Sequence, residues 1–467
     1  MQTSFDLIVV GAGSGGYAAA RTARELGATV ALVDRGPLGG LCILRGCMPS
    51  KTLIATSDAA YEIDHAHELG IRASRAAVDF PFVMARKKEI IGGFTDYRNA
   101  ALETFPIFRG EATFESPDTL RVGDVVLRGG AFVIGTGSVV APPVIPGLAA
   151  AGFIDSDAAL ELAAPPKSMI VLGGGYVSTE LGQFFSRTGT AVTVVIRGTQ
   201  LLSGEDTDIG EALTEYLRED GMTIETRAQV QRVSVRADGA KVVHYVRDGR
   251  EAEVAAEEIF YALGRVPNIA GLGLEKAGVR AHVIRGIEVD QTMRTSNRNI
   301  FAVGDVTGQF LLVHVAIQQG EVAARNAIRA ADERIDYSLS KAHTVFSDPQ
   351  VAVAGESEKE LLATGVAYVK ASYPFSDLGK AISIGKTKGF VKMLAAPLDG
   401  KILGVAILGA HASDLIHIPL AAMAFNATVF DYLKIPHLHP TMAEILTYPA
   451  EELAETVGAA SALAVAH

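Results

Sequence analysis

The N-terminal region contains the run FDLIVVGAGSGG, residues 5–16, which indicates the fold class. Its first six residues are rich in the apolar types that form a buried strand, and an alanine-rich helical pattern follows the run. Between strand and helix, glycines occupy the positions of a GxGxxG turn: Gly11, Gly13 and Gly16. Such a turn brings backbone N–H groups and a helix N-terminus up to a pyrophosphate. The next predicted strand, residues 29–33, ends at Asp34, which suits a ribose hydroxyl, so the sequence predicts a dinucleotide-binding βαβ unit.

The same pattern returns in the middle of the chain. The apolar run SMIVL, residues 168–172, leads into GGGYVS, where Ser178 takes the third glycine position and is small enough for close helix–strand packing. Two such turns predict two nucleotides, most simply a flavin and a nicotinamide. The following strand, residues 191–196, ends in Arg197 rather than in an acid. An acid there would bind the 2′-hydroxyl of NAD and an arginine accommodates a 2′-phosphate, so NADPH is favoured over NADH. Alternatively, Arg197 is a solvated loop residue.

The only two cysteines of the 467 residues lie in the segment GGLCILRGCMPSK, residues 39–51. On an ideal helix Cys42 and Cys47 would be rotated by about 500° and stand roughly 7.5 Å apart at Cα. A disulfide needs about 4.4–6.8 Å, so a bond between them requires local distortion, which Gly39, Gly40 and Gly46 would permit. Cys47 directly precedes a predicted helix start, whose dipole stabilises a thiolate. The alternative is a pair of buried, inert cysteines.

Composition narrows the class of protein. The length predicts three or four domains, and 49% hydrophobic with 20% charged residues is typical of a globular protein. A net charge of −11 argues against a nucleic-acid surface. Residues 129–154 carry no charge, but Pro142, Pro143 and Pro146 argue against a membrane helix. The opening is a strand and a glycine turn rather than a signal peptide, and a thiol pair that must cycle suits a reducing cytoplasm.

Two further motifs complete a family resemblance. IFAVGD at residues 300–305 and HLHPTMAE at residues 437–444 follow the two turns and the cysteine pair in order. The chain resembles the class I pyridine nucleotide–disulfide oxidoreductases, the group of dihydrolipoamide dehydrogenase, glutathione reductase and mercuric reductase. The resemblance implies an α/β protein with two Rossmann-like dinucleotide-binding domains, the nicotinamide domain inserted into the flavin domain, and a C-terminal α+β dimerisation domain. The expected segments are residues 1–147 and 266–337 for FAD, 148–265 for NAD(P) and 338–467 for dimerisation.

The resemblance also assigns roles to residues. In the family Asp305 would bind the ribityl chain of the flavin, Tyr176 would cover the empty nicotinamide site, and Lys51 and Glu180 would form an ion pair near the flavin N5. The spacing alone favours a packed aromatic for Tyr176 and two ordinary helix charges for Lys51 and Glu180. The implied cofactor-binding positions are Gly11, Gly13, Ser14, Gly15, Gly16, Asp34, Gly40, Lys51, Gly137, Gly173, Gly175, Tyr176, Glu180, Arg197, Gly264, Gly304 and Asp305.

The same resemblance implies the roles of the catalytic residues. Cys47 would contact the flavin as the charge-transfer thiolate, and Cys42 would exchange with the substrate. Thiol–disulfide exchange needs a proton acceptor beside the outer thiol, and His439, oriented by Glu444, is the implied base. In the family this pair comes from the other subunit, which implies a homodimer with a shared active site. The alternatives for His439 are a structural histidine or, with His437, half of a metal site; no matching Cys or acidic cluster stands nearby, so no metal is expected.

The departures from the family pattern affect the choice of substrate. Related chains usually read GGTC-x-N-x-GC, and this chain has Leu41, Leu44 and Arg45 beside the redox pair. Mercury and thioredoxin reduction are not expected, because the corresponding reductases carry a further pair at the C-terminus that is missing here. Transhydrogenases lack the redox pair and the histidine.

Two kinds of enzyme remain. A dihydrolipoamide dehydrogenase-like activity is favoured by HPTxxE and by LVH at residues 312–314. An NADPH-dependent reductase of another small disulfide, or a mercuric reductase-like enzyme with an unassigned substrate, is the alternative. A non-enzymatic redox sensor would be expected to lose Cys42, Cys47, His439 or Glu444, and all four are present.

Overall fold

The computed structural model describes the backbone of residues 2–74 and 77–465, and the side chains as far as residue 459. Contacts divide the chain into two compact units. The first consists of the residues up to Thr52 with Phe82–Pro142 and Gly264–Ser340, and the second of Leu53–Pro81, Pro143–Leu263 and the residues from Lys341 onward. The segment Pro143–Leu263 is therefore inserted between two stretches of the first unit. The finer four-segment division remains a prediction.

The first unit is built on a seven-stranded sheet. Its strands lie in the order Ile107–Arg109, Val30–Asp34, Ser4–Val10, Val125–Ile134, Thr119–Val122 and Ala112–Ser116, with Ile300–Ala302 paired to the end of Val125–Ile134. The pairs of Ser4–Val10, Val30–Asp34, Ile107–Arg109 and Ile300–Ala302 are parallel, and the last three strands form an antiparallel meander. Leu7, Ile8 and Val9 are fully buried, which explains the continuous apolar run of the N-terminal strand.

Helices cover this sheet and two small ladders adjoin it. Ser14–Glu25 packs against Val313–Arg329 at two glycines, because a Cβ on Gly320 would lie 2.2 Å from the Gly15 carbonyl oxygen. The ladders are Ser138–Val140 with Arg265–Pro267, and Ala281–His282 with Gly286–Ile287. The remaining helices are Gly40–Arg45, Phe80–Leu102, Gly304–Thr307 (3₁₀), Tyr337–Ser340, and Cys47–His65, which continues into the second unit.

The inserted segment of the second unit carries its own parallel sheet. Four parallel strands lie in the order Thr223–Glu225, Ala191–Val195, Ser168–Leu172 and Glu258–Tyr261. Between the strands Thr223–Glu225 and Glu258–Tyr261, the chain forms an antiparallel sheet of three strands, Ala228–Val235, Lys241–Arg247 and Arg250–Ala256. The helices are Leu148–Ala151, Ser156–Ala159, Tyr176–Arg187 and Thr207–Glu219. A second strand–glycine turn–helix unit thus stands at residues 168–187, as the sequence predicts.

The C-terminal part of the second unit is an antiparallel sheet with helices. Its strands lie in the order His343–Val345, Gln350–Gly355, Ile402–Gly409, Phe390–Ala395 and Val369–Pro374. The helices and 3₁₀ turns of the unit's first and last segments are Ala66–Leu69, Glu358–Thr364, Phe375–Asp377, Gly379–Ser383, Ala412–Leu415, His417–Ala424, Val429–Tyr432, Met442–Leu446 and Thr447–Val465. The predicted fold class, two Rossmann-like domains with an α+β C-terminal domain, is confirmed. Within residues 2–74 and 77–465, no helix is both long enough and apolar enough to cross a membrane.

Candidate functional site

The first glycine turn leaves no room for side chains at its bend. Gly11 has φ +99°, and a Cβ there would lie 2.3 Å from the carbonyl oxygen of Gly135. A Cβ on Gly16 would lie 1.9 Å from the Gly11 carbonyl oxygen. At Gly13, which precedes the helix Ser14–Glu25, the nearest atom to a Cβ is 3.9 Å away. Gly13 is therefore not required by packing, and it leaves the helix N-terminus open to a pyrophosphate.

Asp34 holds this turn from the neighbouring strand. Its Oδ2 accepts a hydrogen bond from the Ala12 N–H at 2.8 Å, and its Oδ1 accepts one from the Gly36 N–H at 2.6 Å. A carboxylate has about four acceptor positions, so both oxygens retain capacity for a ribose hydroxyl. The acid that the sequence singled out for ribose thus also fixes the backbone of the turn.

The motif at residues 300–305 places Asp305 in a half-buried hydrogen-bond chain. Its Oδ2 accepts from the Ser138 hydroxyl at 2.6 Å, and the Arg265 Nε donates to the same hydroxyl at 2.9 Å. Burial raises the pKa of Asp305 against the opposing effect of the Ser138 bond and the Arg265 charge. The Gly304 N–H is held by Gln319 Oε1 at 2.6 Å. Sequence reasoning missed the roles of Ser138, Arg265 and Gln319, because none of the three lies in a motif that the sequence analysis identified.

The remaining predicted flavin positions lie in the same unit. Gly40 has φ +77°, and a Cβ there would lie 2.7 Å from the Gly13 Cα, so the cysteine segment packs directly against the first turn. A Cβ on Gly15 would lie 2.9 Å from the Ala316 carbonyl oxygen. The Gly137 carbonyl oxygen accepts a hydrogen bond from the Asn268 N–H at 2.9 Å, and the Gly264 carbonyl oxygen accepts one from the Ala141 N–H at 3.0 Å. A cradle of bare glycine backbone and a half-buried carboxylate therefore fits FAD.

The two cysteines meet at a break between helices. Cys42 lies in Gly40–Arg45 and Cys47 begins Cys47–His65, with Gly46 between them at φ −136° and ψ −116°. A Cβ on Gly46 would lie 3.0 Å from the Leu41 carbonyl oxygen and 3.2 Å from the Cys42 Cα. The expected local distortion is therefore present. The hydrogen bond to Cys47, followed by burial, raises the pKa of Cys42.

Lys51 and Glu180 lie in different units, the former in the first turns of Cys47–His65 and the latter in Tyr176–Arg187. Glu180 is buried and its Oε1 accepts a hydrogen bond from the Phe346 N–H at 2.9 Å. The charge of Lys51 lowers the pKa of Cys42, but less than the other groups raise it. The predicted ion pair between Lys51 and Glu180 remains a prediction.

The second glycine turn repeats the geometry of the first. Gly173 has φ +116°, and a Cβ there would lie 2.5 Å from the Ala262 carbonyl oxygen. Ser178 is completely buried and donates to the Gly175 carbonyl oxygen at 2.7 Å, so the third glycine position is filled by a satisfied hydroxyl. A Cβ on Gly175 would have no atom within 4 Å, which leaves the N-terminus of Tyr176–Arg187 open. This turn fits a second dinucleotide.

Two side chains flank this second turn. Tyr176, the first residue of the helix, is 41% exposed, and its hydroxyl bonds to Glu205 and His343. Neither partner was singled out by the sequence, because they lie in segments without a motif. Arg197 follows the strand Ala191–Val195, is exposed, and forms no hydrogen bond or ion pair with any residue that the structure describes.

The predicted base and its orienting carboxylate are in contact. His439 Nδ1 lies 2.8 Å from Glu444 Oε1, and Glu444 Oε2 accepts from the Thr441 N–H at 2.7 Å. Because a carboxylate only accepts, Nδ1 carries a proton and Nε2 is the free acceptor of the neutral ring. The imidazole is 80% exposed, and the cysteines lie in the other unit. Among the described residues, no group of three or more His, Cys, Asp or Glu side chains is arranged to hold a metal.

Almost the whole length of the chain matches known protein families. Residues 5–320 match the family described as pyridine nucleotide-disulphide oxidoreductase, and residues 341–450 match its dimerisation domain. The chain is 36% identical over 455 residues to a dihydrolipoyl dehydrogenase of Geobacillus stearothermophilus, covering 96% of this chain and 95% of that protein. It is 34% identical over 473 residues to a mercuric reductase of Streptomyces lividans, covering 99% of each.

Solved structures agree with the sequence relatives. The HOCl-induced flavoprotein disulfide reductase RclA from Escherichia coli superposes with a TM-score of 0.84 at 25% identity, over 96% of this chain and 99% of that one. The sequence relatives and the solved structure thus point to the same family, which accounts for the two glycine turns, the cysteine pair and the dimerisation domain. The chain belongs to the class I pyridine nucleotide–disulfide oxidoreductases, and it is an NAD(P)H-dependent flavoprotein disulfide oxidoreductase.

Proposed function

We propose that this enzyme passes electrons between NAD(P)H and a small dithiol–disulfide of the lipoamide type, through FAD and the Cys42–Cys47 pair. The observation that carries the proposal is the contact of 2.8 Å between His439 Nδ1 and Glu444 Oε1 in a chain whose only two cysteines meet at Gly46. A base of this kind is needed where a dithiol exchanges with the outer cysteine. Relatives named dihydrolipoyl dehydrogenase at 33–36% identity support the lipoamide assignment.

The exchange balances with the residues present. In the direction of disulfide reduction, the Cys42 thiolate attacks one substrate sulfur, the substrate S–S bond breaks, and the departing thiolate takes a proton from the imidazolium of His439. The Cys47 thiolate then attacks Cys42, which releases the second substrate thiolate and forms the Cys42–Cys47 disulfide, and the released thiolate takes up a proton from water. FAD, when bound, relays two electrons from the pyridine nucleotide to that disulfide. The sum consumes one NAD(P)H and one proton and yields two thiols and NAD(P)⁺.

Each protein group has a definite task in this scheme. The Gly11–Gly16 turn, Asp34 and Asp305 bind and orient the flavin. The hydrogen bond with Cys47 favours the thiol form of Cys42, so His439 must take the proton of Cys42 when exchange begins. Glu444 fixes the ring so that Nε2 faces the substrate, and it stabilises the imidazolium between proton transfers.

The remaining assignments are proposed from the family relationship. The dimerisation domain supports a homodimer, and we propose that His439 and Glu444 serve the cysteines of the other subunit. Lys51 and Glu180 would pair near the flavin. NADPH is the proposed reductant because Arg197 is exposed and available for a 2′-phosphate. A reducing cytoplasm is proposed as the location, since the thiol pair must cycle.

A second candidate shares the machinery and differs in substrate. An NADPH-dependent reductase of another small disulfide is supported by Arg197 and by Leu41, Leu44 and Arg45, which replace the usual lining of the redox pair. The likeness to a mercuric reductase keeps a related enzyme with a different electron acceptor within this candidate.

Replacement of the outer thiol tests the shared scheme. Cys42→Ser should abolish NAD(P)H-dependent disulfide reduction while the protein keeps its flavin and its reduction by NAD(P)H. Thr52→Ser, in the following helix Cys47–His65, is the matched control and should retain activity. Undiminished disulfide turnover in Cys42→Ser would refute the assignment of Cys42 as the exchanging thiol.

A further inference from the structure

Tyr176 is fixed by two side chains at the edge of the second glycine turn. Its hydroxyl lies 2.9 Å from Glu205 Oε1 and 2.9 Å from His343 Nε2, and the two partners are themselves 2.9 Å apart. The rings of Tyr176 and His343 have centroids 5.4 Å apart. Tyr176 immediately follows Gly175, so these contacts act on the first side chain beyond the open helix N-terminus.

The donors and acceptors of this triangle can be assigned. His343 Nδ1 lies 3.0 Å from the Lys341 carbonyl oxygen, which can only accept, and Nε2 faces the Glu205 carboxylate. Both ring nitrogens therefore donate when the imidazole is protonated. The Tyr176 hydroxyl donates to Glu205 and accepts from His343. The Tyr176 hydroxyl, Glu205 Oε1 and both ring nitrogens of His343 then each have a partner.

Glu205 is held in place by its own surroundings. It is 5% exposed, and its carbonyl oxygen accepts a hydrogen bond from Lys359 Nζ. The next residue, Asp206, accepts from the Glu358 and Lys359 N–H groups at 3.1 Å and 3.0 Å and pairs with buried Lys392 at 2.8 Å. The same loop donates the Leu202 N–H to the Gly174 carbonyl oxygen at 2.7 Å. A loop that is hydrogen bonded to the glycine turn and to neighbouring residues therefore presents the carboxylate to Tyr176.

The exposure of Tyr176 indicates what this arrangement does. A tyrosine packed in a core would be buried, whereas Tyr176 keeps 41% of its surface exposed although its hydroxyl is tied down twice. We propose that Glu205 and His343 are positioning residues that latch Tyr176 in its resting pose, so that a pyridine nucleotide must break the latch to occupy the second turn. The inference rests on the proposed nicotinamide site and goes beyond it by naming what opposes binding there.

Removal of the histidine tests the latch, because a latch and simple electrostatics predict opposite changes in the affinity for a dinucleotide. Glu205 raises the pKa of His343 and so favours its cationic form, and the loss of that form in His343→Leu would on electrostatic grounds weaken the binding of a polyanionic dinucleotide. Loss of a latch predicts the opposite, a tighter complex. The dissociation constant should fall by roughly 3- to 10-fold, which is the range given by one or two hydrogen bonds of ordinary net strength. Tyr176→Phe keeps the ring, removes the hydroxyl and should tighten binding by a similar factor.

The measurement is calorimetric titration of the oxidised holoenzyme with NADP⁺ and, separately, with NAD⁺, so that no turnover intervenes. The single variants and the double variant Tyr176→Phe/His343→Leu form a cycle, and the latch predicts that their effects are strongly non-additive. His244→Leu is the matched control, because His244 is also hydrogen bonded, at 2.8 Å to Ser234, and similarly buried, but lies in the antiparallel sheet. It should leave both dissociation constants unchanged.

Two failures can be told apart. Equal or weaker binding in both Tyr176→Phe and His343→Leu would overturn the latch while leaving the nicotinamide site intact. If instead the wild-type protein binds neither dinucleotide, or if Gly175→Ala leaves binding untouched, the proposed site itself is wrong and the latch falls with it. Near-ultraviolet absorbance of Tyr176, compared between wild type and Tyr176→Phe on addition of NADP⁺, gives a second readout of the broken hydrogen bonds.

Discussion

The carboxylate of Glu444 holds His439 with one oxygen and the backbone of Thr441 with the other. The distances are 2.8 Å from Oε1 to His439 Nδ1 and 2.7 Å from Oε2 to the Thr441 nitrogen. Because the second bond anchors the carboxylate to the start of the 3₁₀ turn Met442–Leu446, the imidazole is oriented by a fixed group rather than by a mobile side chain. An exposed histidine is thereby given one defined tautomer.

Neutralising this carboxylate should impair exchange without affecting the flavin step. Glu444→Gln can no longer stabilise an imidazolium, and we expect disulfide turnover to fall roughly 10- to 100-fold, part of the 10²–10⁴ that a positioned acid–base group contributes. Reduction of the flavin by NAD(P)H, followed by stopped-flow absorbance, should be unchanged. Glu451→Gln, exposed on the following helix, is the control. Full turnover in Glu444→Gln would remove the carboxylate from the account.

The pH dependence of Glu444 has a definite sign. The Thr441 N–H, and then the bond to His439, outweigh burial and lower the pKa of Glu444 below its usual 4.5. A depressed folded-state pKa contributes stability that is present above the unfolded-state value and lost as pH falls through the folded-state value. The melting-temperature difference between wild type and Glu444→Gln should therefore shrink as pH falls below about 4.5. A difference that grows on acidification would contradict this.

Two glycines of the first turn should separate folding from flavin binding. Gly11→Ala puts a Cβ at φ +99° and 2.3 Å from a backbone oxygen, so it should destabilise even the apoprotein by more than about 1 kcal/mol. Gly13 has φ −70° and open space, so Gly13→Ala should fold normally and lose FAD, because the methyl group blocks the approach of a pyrophosphate. Apoprotein melting temperature and flavin content report the two effects. Gly13→Ala with full flavin content would contradict the proposed binding mode.

The positive charge of His343 should make the contribution of this residue to the melting temperature depend on pH. Burial by itself would lower the pKa of His343, but the hydrogen bond and charge of Glu205 outweigh it and raise the pKa above 6.5. A raised folded-state pKa gives stability that is complete below the unfolded-state value and is lost as pH rises through the folded-state value. The melting temperature of wild type should exceed that of His343→Gln most at pH 6, and the gap should narrow toward pH 9. A flat or widening gap would mean that His343 is not held as a cation.

Cofactor preference should follow Arg197. Arg197→Glu introduces an acid where NAD-specific folds bind the ribose 2′-hydroxyl, and it repels a 2′-phosphate, so the preference should shift from NADPH toward NADH by at least about tenfold in kcat/KM. Arg250→Glu, exposed in the antiparallel sheet, controls for the change in net charge. An unchanged NADPH/NADH ratio in Arg197→Glu would show that this side chain does not read the phosphate.

Much of the fold could be predicted because its signals are local. A buried parallel strand needs an apolar run, and the bend at Gly11 admits no Cβ, so strand, turn and helix leave a continuous signature at residues 5–16 and again at residues 168–178. The break at Gly46 was anticipated from the geometry of a disulfide across an ideal helix. The pairing of His439 with Glu444 followed from the motif, which brings both into one turn.

The groups that escaped prediction act over long separations in sequence. Ser138 and Arg265 are 127 residues apart, and both serve Asp305 through one hydroxyl. His343 and Glu205 are 138 residues apart and meet only through the C-terminal sheet and the loop before Thr207–Glu219. A lone serine or histidine outside a motif carries no periodic or spacing signal, because its role depends on tertiary packing.

Anaerobic turnover with lipoamide tests the central claim most directly, with NADH and NADPH compared and free thiol counted. We expect two thiols released per pyridine nucleotide oxidised, reversal with dihydrolipoamide and NAD(P)⁺, and loss of both directions in Cys42→Ser. A protein whose flavin is reduced by NAD(P)H but which releases no thiol from lipoamide would contradict the proposed substrate, and thiol release that persists in Cys42→Ser would contradict the proposed route of the electrons.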